Sequence, residues 1–478
     1  MSSQRRPIDF IVVFLISFGG LVTSALRGIY IALPLAFALV LFSGVLLTRG
    51  FSFRAICRMG WLGAKKSLPV IQVLLLIGIL TAVWMASGTV PALVYYGTGL
   101  VSGRFFILWA FLLTSMISVL TGTAFGAVGT IGIALMVIAR GSGAAIYPVA
   151  GAIIAGAFLG DRCSPMSSSA HLVASITQTN LYTNLRNMIV SSRWPLIISV
   201  AFYAALAFFY PVSLSASPIT AELPDAFNLA PVTLLPAVAM LLLAVCRVDV
   251  KLAMLVSIGM GGAIAHGIQH YDLAHVFQFA FFGYQLQQET LLSTILLGGG
   301  LLPMAKSTLV VLISTAFAGI FAGSKALSFL DDWLAQAQQQ PQLTRSTLIV
   351  SILTSVFGCT QTIAIVLTGQ IVKPHYTALA NKTSHRAINS AINKTANEQL
   401  ALDIEDTAVM IAPLVPWNIA SLIPTTILAV GPGFIPYAVY LLLLPLFASI
   451  RRHPNTETIF AITPENIPPE SATSPDLS

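Results

Sequence analysis

Charged residues are scarce in this chain. Asp, Glu, Lys and Arg make up 9% of its 478 residues, whereas apolar residues make up 56% and the mean hydropathy is +0.87. Soluble domains carry roughly 25% charged residues, so water cannot be the main solvent of this protein. Long uncharged runs with short breaks predict an all-α polytopic membrane protein of about 11 to 13 membrane elements, at about 20 residues per crossing.

Cysteine is also rare. Cys57, Cys163, Cys246 and Cys359 are scattered without paired spacing, which argues against a disulfide framework and against a Cys-based zinc site. The sequence contains no Walker loop, no Gly-x-Ser-x-Gly and no His-Glu-x-x-His motif. We therefore predict no ATP-driven pumping, no enzyme activity and no chemical cofactor.

The cations lie between apolar runs, not in a patch that would bind nucleic acid. Cytoplasmic loops carry an excess of Lys and Arg, so the distribution predicts cytoplasmic termini in a cell (inner) membrane. The sequence leaves open whether the protein is a homo-oligomer. The cations that carry this prediction are five in one short connection, Arg49, Arg54, Arg58, Lys65 and Lys66, and four at the two ends, Arg5, Arg6, Arg451 and Arg452.

Several apolar runs are interrupted by glycine, proline and hydroxyl residues. Non-helical backbone is tolerated at membrane depth only where protein or a watery cavity covers it, so these breaks are predicted to face inward. Such broken helices are typical of secondary transporters. The breaks are residues 87–91, 121–123, 298–300 and 413–416, and the candidate substrate-binding or broken-helix residues are Ser87, Gly88, Thr89, Thr121, Thr123 and Thr360.

A weak internal sequence similarity predicts an inverted repeat. Residues 163–166 resemble residues 411–414, and only the first copy is entered from a strongly basic connection, which favours opposite orientations. The predicted division is an N-terminal transmembrane pair with a basic cytoplasmic loop, a first repeat, a connecting segment with transmembrane helices, a second repeat and a disordered cytoplasmic tail. Their limits are 1–66, 67–212, 213–289, 290–450 and 451–478.

Asp161 is the first candidate for an ion- or proton-binding residue. It stands at the end of an uncharged run, where an ionisable group is costly unless it is paired or faces a cavity. The hydroxyls of Ser164, Ser167 and Ser168 would add the oxygen ligands that hard cations prefer. The alternative is that Asp161 caps a helix and pairs with Arg162 or a lipid head group.

A second acidic cluster covers residues 403–406. If these residues open a helix, the helix dipole favours acids in its first turn. On this interpretation Asp403 only stabilises the helix N-terminus. Glu405 and Asp406 would point about 100° apart on a helix, so at most one need face a cavity, and Asp406 is chosen over Glu405. Asn418, beyond the proline break, is a further polar ligand.

Two other groupings were weighed. His266, His270 and His275 could form a metal site or a pH sensor, but the third spacing is unconvincing and favours a polar loop. Asp272 after Tyr271 and Asp161 after Gly160 superficially resemble the elements of intramembrane aspartyl proteases. The two elements occur in the wrong order, which argues against that reading.

Four stretches together resemble a known family. They are residues 84–91 with 95–97, residues 121–132, residues 160–167, and residues 405–406 with 412–418. They follow one another over most of the chain in the order found in NhaC-type sodium/proton antiporters, within the broader ion-transporter superfamily. This chain departs from the family pattern at Ser168, where members carry a second acid, and at Thr360, where many carry an acid before Gln.

The resemblance implies a secondary active transporter that exchanges Na+ for H+ by alternating access. Asp161 would bind Na+ or a proton in competition, and no metal other than transported Na+ is expected. The partners would be the lipid bilayer and small ions. Because the family also includes malate/lactate exchangers and members implicated in amino-acid uptake, coupled transport of an amino acid or small carboxylate stays open, with helix ends near Ser87 holding the substrate carboxylate.

Overall fold

The computed structural model describes residues 8–100, 103–210, 223–246, 248–285, 299–324, 326–327, 330–383 and 389–451. The predicted tail of residues 451–478 lies outside these ranges except for Arg451, and so do Gly298, Arg5, Arg6 and Arg452. Within the described ranges the chain forms helices and no strand, which confirms the all-α prediction.

The first half of the chain contributes eleven helices within the described residues. They are α1 (Ile8–Leu26), α2 (Ala32–Thr48), α3 (Phe53–Lys65), α4 (Leu68–Ala86), α5 (Thr89–Leu100), α6 (Phe106–Thr121), α7 (Ala124–Ala127), α8 (Ile133–Gly141), α9 (Ile146–Cys163), α10 (Ser168–Thr177) and α11 (Leu181–Phe209). A π-helical turn, Val128–Gly132, joins α7 to α8.

A short helical stretch at residues 223–226 follows, and the rest of the described chain contributes eleven more helices. They are α12 (Leu235–Val245), α13 (Val250–Gly267), α14 (Leu273–Phe282), α15 (Met304–Gly323), α16 (Asp331–Leu334), α17 (Gln340–Gly358), α18 (Gln361–Thr383), α19 (Asn389–Asp406), α20 (Ala408–Ile411), α21 (Ile419–Ile427) and α22 (Val439–Ile450).

Many of these helices are apolar enough to cross a bilayer. Six are long and apolar enough by length and composition, and a bent pair, Lys394–Leu414 with Ile419–Ile427, adds a seventh. Six shorter apolar helices of 10–17 residues accompany them. The chain is therefore a polytopic membrane protein.

The predicted breaks at residues 87–91 and 121–123 are confirmed. Gly88 and Gly122 separate consecutive helices with φ of +74° and +69°, a left-handed conformation that glycine adopts at little cost. The fourth predicted break, at residues 413–416, is displaced: Pro413 lies in a 3-10 turn, and the chain bends by 50° after it, at residues 415–418. Cys359, with φ of +51°, creates a break between α17 and α18.

The breaks occur in touching pairs. In the first half, Ser164 after α9 donates a hydrogen bond to the Val119 carbonyl near the end of α6 (2.7 Å). In the second half, the Ile419 amide donates to the Cys359 carbonyl (2.9 Å). Pro413 continues the helical path, so the turn that contacts Cys359 is the one at residues 415–418 and not residues 411–414.

Glycines allow α6 and α9 to pack closely. A Cβ on Gly156 would lie 2.6 Å from the Phe111 carbonyl, and one on Gly160 would collide with the backbone of Ser118. Small residues let helix backbones approach in membranes, where packing drives association. The hydroxyl of Ser118 also donates to the Ala157 carbonyl, which fixes the end of α9. This contact places Asp161 in the interior.

Candidate functional site

Asp161 lies in the last turn of α9 and is buried, with 6% of its surface exposed. Its Oδ2 atom accepts hydrogen bonds from Ser169 Oγ (3.1 Å) and Gln361 Nε2 (3.3 Å). The backbone amide of Ala124 also approaches the carboxylate. All three partners are neutral, and within the described part of the chain Asp161 forms no ion pair.

Three helices begin at this carboxylate. Ala124 opens α7, Ser169 is the second residue of α10, and Gln361 opens α18. Helix N-termini carry a partial positive charge and favour a nearby anion. Gln361 Nε2 also contacts the Val409 carbonyl (3.3 Å), so one side chain connects Asp161 to the turn that follows the second acidic cluster.

The serines after Asp161 have different roles from those predicted. Ser164 is used in the contact with Val119, and Ser167 caps α10 by accepting from the Ala170 amide (3.2 Å). Ser168 is exposed. Because successive residues of a helix point about 100° apart, the hydroxyl that reaches Asp161 belongs to Ser169 and not to Ser168.

The second acidic cluster closes a helix instead of opening one. Residues 403–406 form the last turn of α19, which ends at Asp406, and the helical path is interrupted at Thr407. The interpretation that Asp403 only stabilises a helix N-terminus is therefore wrong. Asp403 is fully buried and accepts from Thr344 Oγ1 (2.7 Å), Tyr376 OH (2.5 Å) and Gln399 Nε2 (2.8 Å).

Asp406 is enclosed by two arginines. Arg162 binds one carboxylate oxygen and Arg451 binds the other, and Ser191 Oγ donates at 3.1 Å. Asp406 and Arg162 are fully buried. Arg162 also donates to Ser192 Oγ (2.5 Å). The carboxylate predicted to face a cavity is thus fully engaged in ion pairs.

Glu405 is in a different situation. It is fully buried, and neither carboxylate oxygen has a hydrogen-bond partner among the residues that the structure describes. Its charge interacts with those of Arg162, Asp161 and Asp406. Of the two adjacent acids, Glu405 is the one with free oxygens near Asp161.

Asn418 and Thr360 lie at the second pair of breaks. Asn418 is fully buried, accepts from the Ala420 amide (3.0 Å) at the start of α21, and donates to the Ser355 carbonyl (2.8 Å). Thr360 accepts from the Ile363 amide (3.1 Å). Both residues shape the breaks beside Gln361, and their polar atoms are engaged there.

The remaining candidates shape other breaks. Ser87 and Thr89 share a hydrogen bond (2.7 Å), and Thr89 donates to the Thr233 carbonyl (2.8 Å). Gly88 packs against Gln269. These contacts form a cluster separate from that of Asp161. The first-half break at residues 121–123 is shaped by two hydroxyls: Thr121 donates to Ile117 O (2.9 Å), and Thr123 accepts from Gly126 N (3.4 Å).

His266, in the last turn of α13, contacts the connection that follows it. Its Nδ1 lies 2.9 Å from the Tyr271 carbonyl. Among the described residues, no group of three or more His, Cys, Asp or Glu side chains could hold a metal ion. Only His270 lies in the connection, because His266 belongs to the last turn of α13 and His275 to α14, so the polar-loop interpretation is wrong for those two residues.

Sequence reasoning missed several neighbours of the acids. No motif singles out Ser169 beside Ser168, and the sequence assigns Arg451 only to topology and Asp403 only to a helix N-terminus. Gln361 had a readable signal, because it follows Gly358-Cys359-Thr360, a short stretch of small residues inside an apolar run. No local signal indicates that Arg451 reaches Asp406 from another helix.

Comparison with known proteins identifies relatives along most of the chain. The malate-2H(+)/Na(+)-lactate antiporter of Bacillus subtilis is 29% identical over 390 residues, covering 79% of this chain and 83% of that protein. The Na(+)/H(+) antiporter NhaC of Alkalihalophilus pseudofirmus is 28% identical over 393 residues, covering 80% and 81%. The arginine/ornithine antiporter ArcD of Halobacterium salinarum is 25% identical over 418 residues, covering 85% and 82%.

All three relatives bear the names of antiporters and not of enzymes. The sequence model of the Na+/H+ antiporter family matches residues 156–450, from the helix that carries Asp161 to the end of α22. This range is more than half of the chain and includes both acidic clusters. The family predicted from the sequence motifs is confirmed, and this chain belongs to the Na+/H+ antiporter family.

Proposed function

We propose that this protein exchanges Na+ for H+ and that Asp161 is the carboxylate at which the two ions compete. The observation that carries the proposal is a buried carboxylate whose only hydrogen-bond partners within the described residues are neutral, at the meeting point of three helix starts. Intramembrane carboxylates in such positions mark ion and proton pathways. One Na+ or one proton would neutralise Asp161.

Coupling follows from the cost of a bare charge. Reorientation with Asp161 ionised and unoccupied would carry an uncompensated charge through a low-dielectric path, which is unfavourable. Neutralisation by either ion removes that cost. The paired breaks that surround Asp161 are the kind of element that rocks or gates in alternating access.

Glu405 is proposed as the second ion-binding carboxylate in place of Asp406. Both oxygens of Asp406 are held by arginines, whereas the buried oxygens of Glu405 are free among the described residues. A buried carboxylate is costly unless it is protonated or bound to a cation. Asp406 then serves as the shared ion-pair partner of Arg162 and Arg451, and Ser169 and Gln361 orient Asp161.

The test uses everted membrane vesicles from a host that lacks its own sodium/proton antiporters. A dye follows lumenal acidity while Na+, Li+ or K+ is added. We expect alkalinisation on addition of Na+, loss of the response in Asp161→Asn, and retention in Asp272→Asn at equal membrane abundance. Asp272 is the matched control because its side chain is exposed. A full response in Asp161→Asn would refute the assignment.

The second candidate is coupled transport of an amino acid or small carboxylate. The malate/lactate relative, with 29% identity, and the arginine/ornithine relative support it. The hydroxyls of Ser87 and Thr89 already bond each other and the Thr233 carbonyl, so a substrate carboxylate at that break would have to replace these bonds. If no cation changes lumenal acidity, uptake of labelled malate, lactate and amino acids is the deciding measurement.

The location and internal division also belong to this proposal. We place the protein in the cell membrane with both termini in the cytoplasm, and we retain 67–212 and 290–450 as two transporter repeats. One pair of touching breaks in each range supports the repeat. The exchanged partners would be small ions, without nucleic acid and without a chemical cofactor.

A further inference from the structure

The helix α3 is fixed to the protein by one glycine-rich side. Gly60 and Gly63 are buried against α15, and a Cβ on Gly63 would lie 2.8 Å from the Cα of Gly319. A Cβ on Gly323 would in turn meet the side chain of Met59. The two helices therefore pack with almost no space between their backbones, which holds α3 in one orientation.

The opposite side of α3 is both cationic and apolar, and we call it the basic face. Phe53, Trp61 and Leu62 expose 70%, 70% and 52% of their surface. Amphipathic helices that lie in the membrane interface combine aromatic and leucine side chains with Lys and Arg. The cations of the basic face, all exposed, are Arg54, Arg58, Lys65 and Lys66.

The four cations of the basic face have no acidic neighbour in the sequence of the first helices. No Asp or Glu occurs between Asp9 and Asp161, and Asp9 pairs with Arg49 (3.6 Å). None of the four cations of the basic face is in an ion pair within the part of the protein that the structure describes. Four positive charges therefore face outward without compensation from any described acidic residue.

The position of α3 in the chain places this face at the membrane surface. It connects the apolar helices α2 and α4, and α4 is long enough to span. Aromatic side chains are enriched at that level, and anionic head groups attract juxtamembrane cations. We propose that the basic face of α3 is a binding surface for the head groups of anionic phospholipids.

Another copy of the chain is a poor occupant of this face. A symmetric contact through α3 would bring like charges together, which costs free energy. A lipid phosphate supplies the missing negative charge, while Trp61 and Phe53 contact the acyl boundary. This inference concerns a surface and does not depend on the identity of the transported ion.

The experiment measures lipid selectivity of the full-length protein in detergent. Phosphatidylglycerol or phosphatidylcholine with the same acyl chains is added, and both the melting temperature and the number of bound lipids by native mass spectrometry are recorded. The test variant removes all four charges: Arg54→Gln, Arg58→Gln, Lys65→Gln and Lys66→Gln. The matched control removes four charges from exposed positions on other elements: Arg27→Gln, Arg186→Gln, Lys306→Gln and Lys394→Gln.

We expect phosphatidylglycerol to raise the melting temperature of the wild type more than phosphatidylcholine does. The test variant should lose this difference, because each removed cation should lower the affinity for phosphatidylglycerol roughly fivefold. The control variant should keep the difference. If the fourfold variant does not fold, Arg54→Gln with Arg58→Gln alone should lose part of the selectivity.

Three results would overturn the proposal. They are equal effects of the two lipids on the wild type, retained selectivity in the test variant, and an equal shift caused by inorganic phosphate or by an acidic peptide. Inorganic phosphate separates a lipid site from a general anion site, and the peptide tests for a protein partner.

Discussion

Glu405 and Asp406 are neighbours in sequence, but their surroundings are opposite. Asp406 forms ion pairs with two arginines that come from α9 and from the end of α22, whereas both Glu405 oxygens are free among the described residues. One step along α19 rotates the side chain by about 100° and changes its neighbours entirely. At this scale the role of an acid is set by which cations reach it.

The first residue-scale prediction compares two adjacent serines. Ser169→Ala removes a hydrogen bond to the Asp161 carboxylate, which is worth roughly 1.5–3 kcal/mol for a charged group. We expect a higher Na+ concentration for half-maximal exchange in Ser169→Ala and no change in Ser168→Ala, because Ser168 is exposed. The dye assay in vesicles measures both, and equal effects would contradict the geometry.

The second prediction separates the two acids. Asp406→Asn leaves the buried Arg162 without full compensation, which should lower the free energy of unfolding by about 3–5 kcal/mol. Glu405→Gln breaks no hydrogen bond to a described residue, so we expect near-normal thermal stability together with impaired exchange. Melting in detergent and vesicle flux test the pair, and the reverse pattern would exchange the two assigned roles.

At the scale of the elements, the breaks decide where polar groups meet. In each half of the chain, one break contacts another break. Backbone groups that one break leaves unpaired are therefore partly satisfied by hydrogen bonds from the neighbouring break. The glycine-rich contact between α6 and α9 then fixes the position of Asp161 relative to the two touching breaks in the first half of the chain. The site is therefore built from helix ends and not from a single helix face.

A prediction at this scale compares two glycines of the same conformation. Gly122 and Gly143 both have φ of +69°, so alanine at either should cost about 1–2 kcal/mol. A Cβ on Gly122 would lie 2.6 Å from the Met166 backbone, whereas nothing lies within 4 Å of one on Gly143. Gly122→Ala should therefore lose about 1–3 kcal/mol more and most of its transport. Similar melting temperatures for the two variants would show that the break can relax.

At the scale of the whole molecule, charge sets orientation. The basic connection after α2 and Arg451 at the end of α22 favour the cytoplasmic side. If the two repeats are inverted, the pair of breaks in each half faces the same midplane from opposite directions. The contact between Gln361 and Asp161 joins the two ranges proposed as repeats, as such an arrangement would require.

The topology prediction is tested with C-terminal reporters. A fluorescent protein that folds only in the cytoplasm should fluoresce when fused after Ser478, and alkaline phosphatase at the same position should be inactive. The opposite pair of signals would place the C-terminus outside. It would also reverse the side on which the basic face of α3 meets the membrane.

The sequence by itself determined the membrane class, the family, the breaks at Gly88 and Gly122, and Asp161 as a candidate. These depend on local composition, on glycine and proline, and on the cost of a charge in an apolar run. All of these features are visible in the sequence without knowledge of tertiary contacts. Only the tertiary structure decided which groups surround each acid. Arg451 reaches Asp406 from 45 residues away and Gln361 reaches Asp161 from 200 residues away, and such contacts arise from packing between helices that no local pattern encodes.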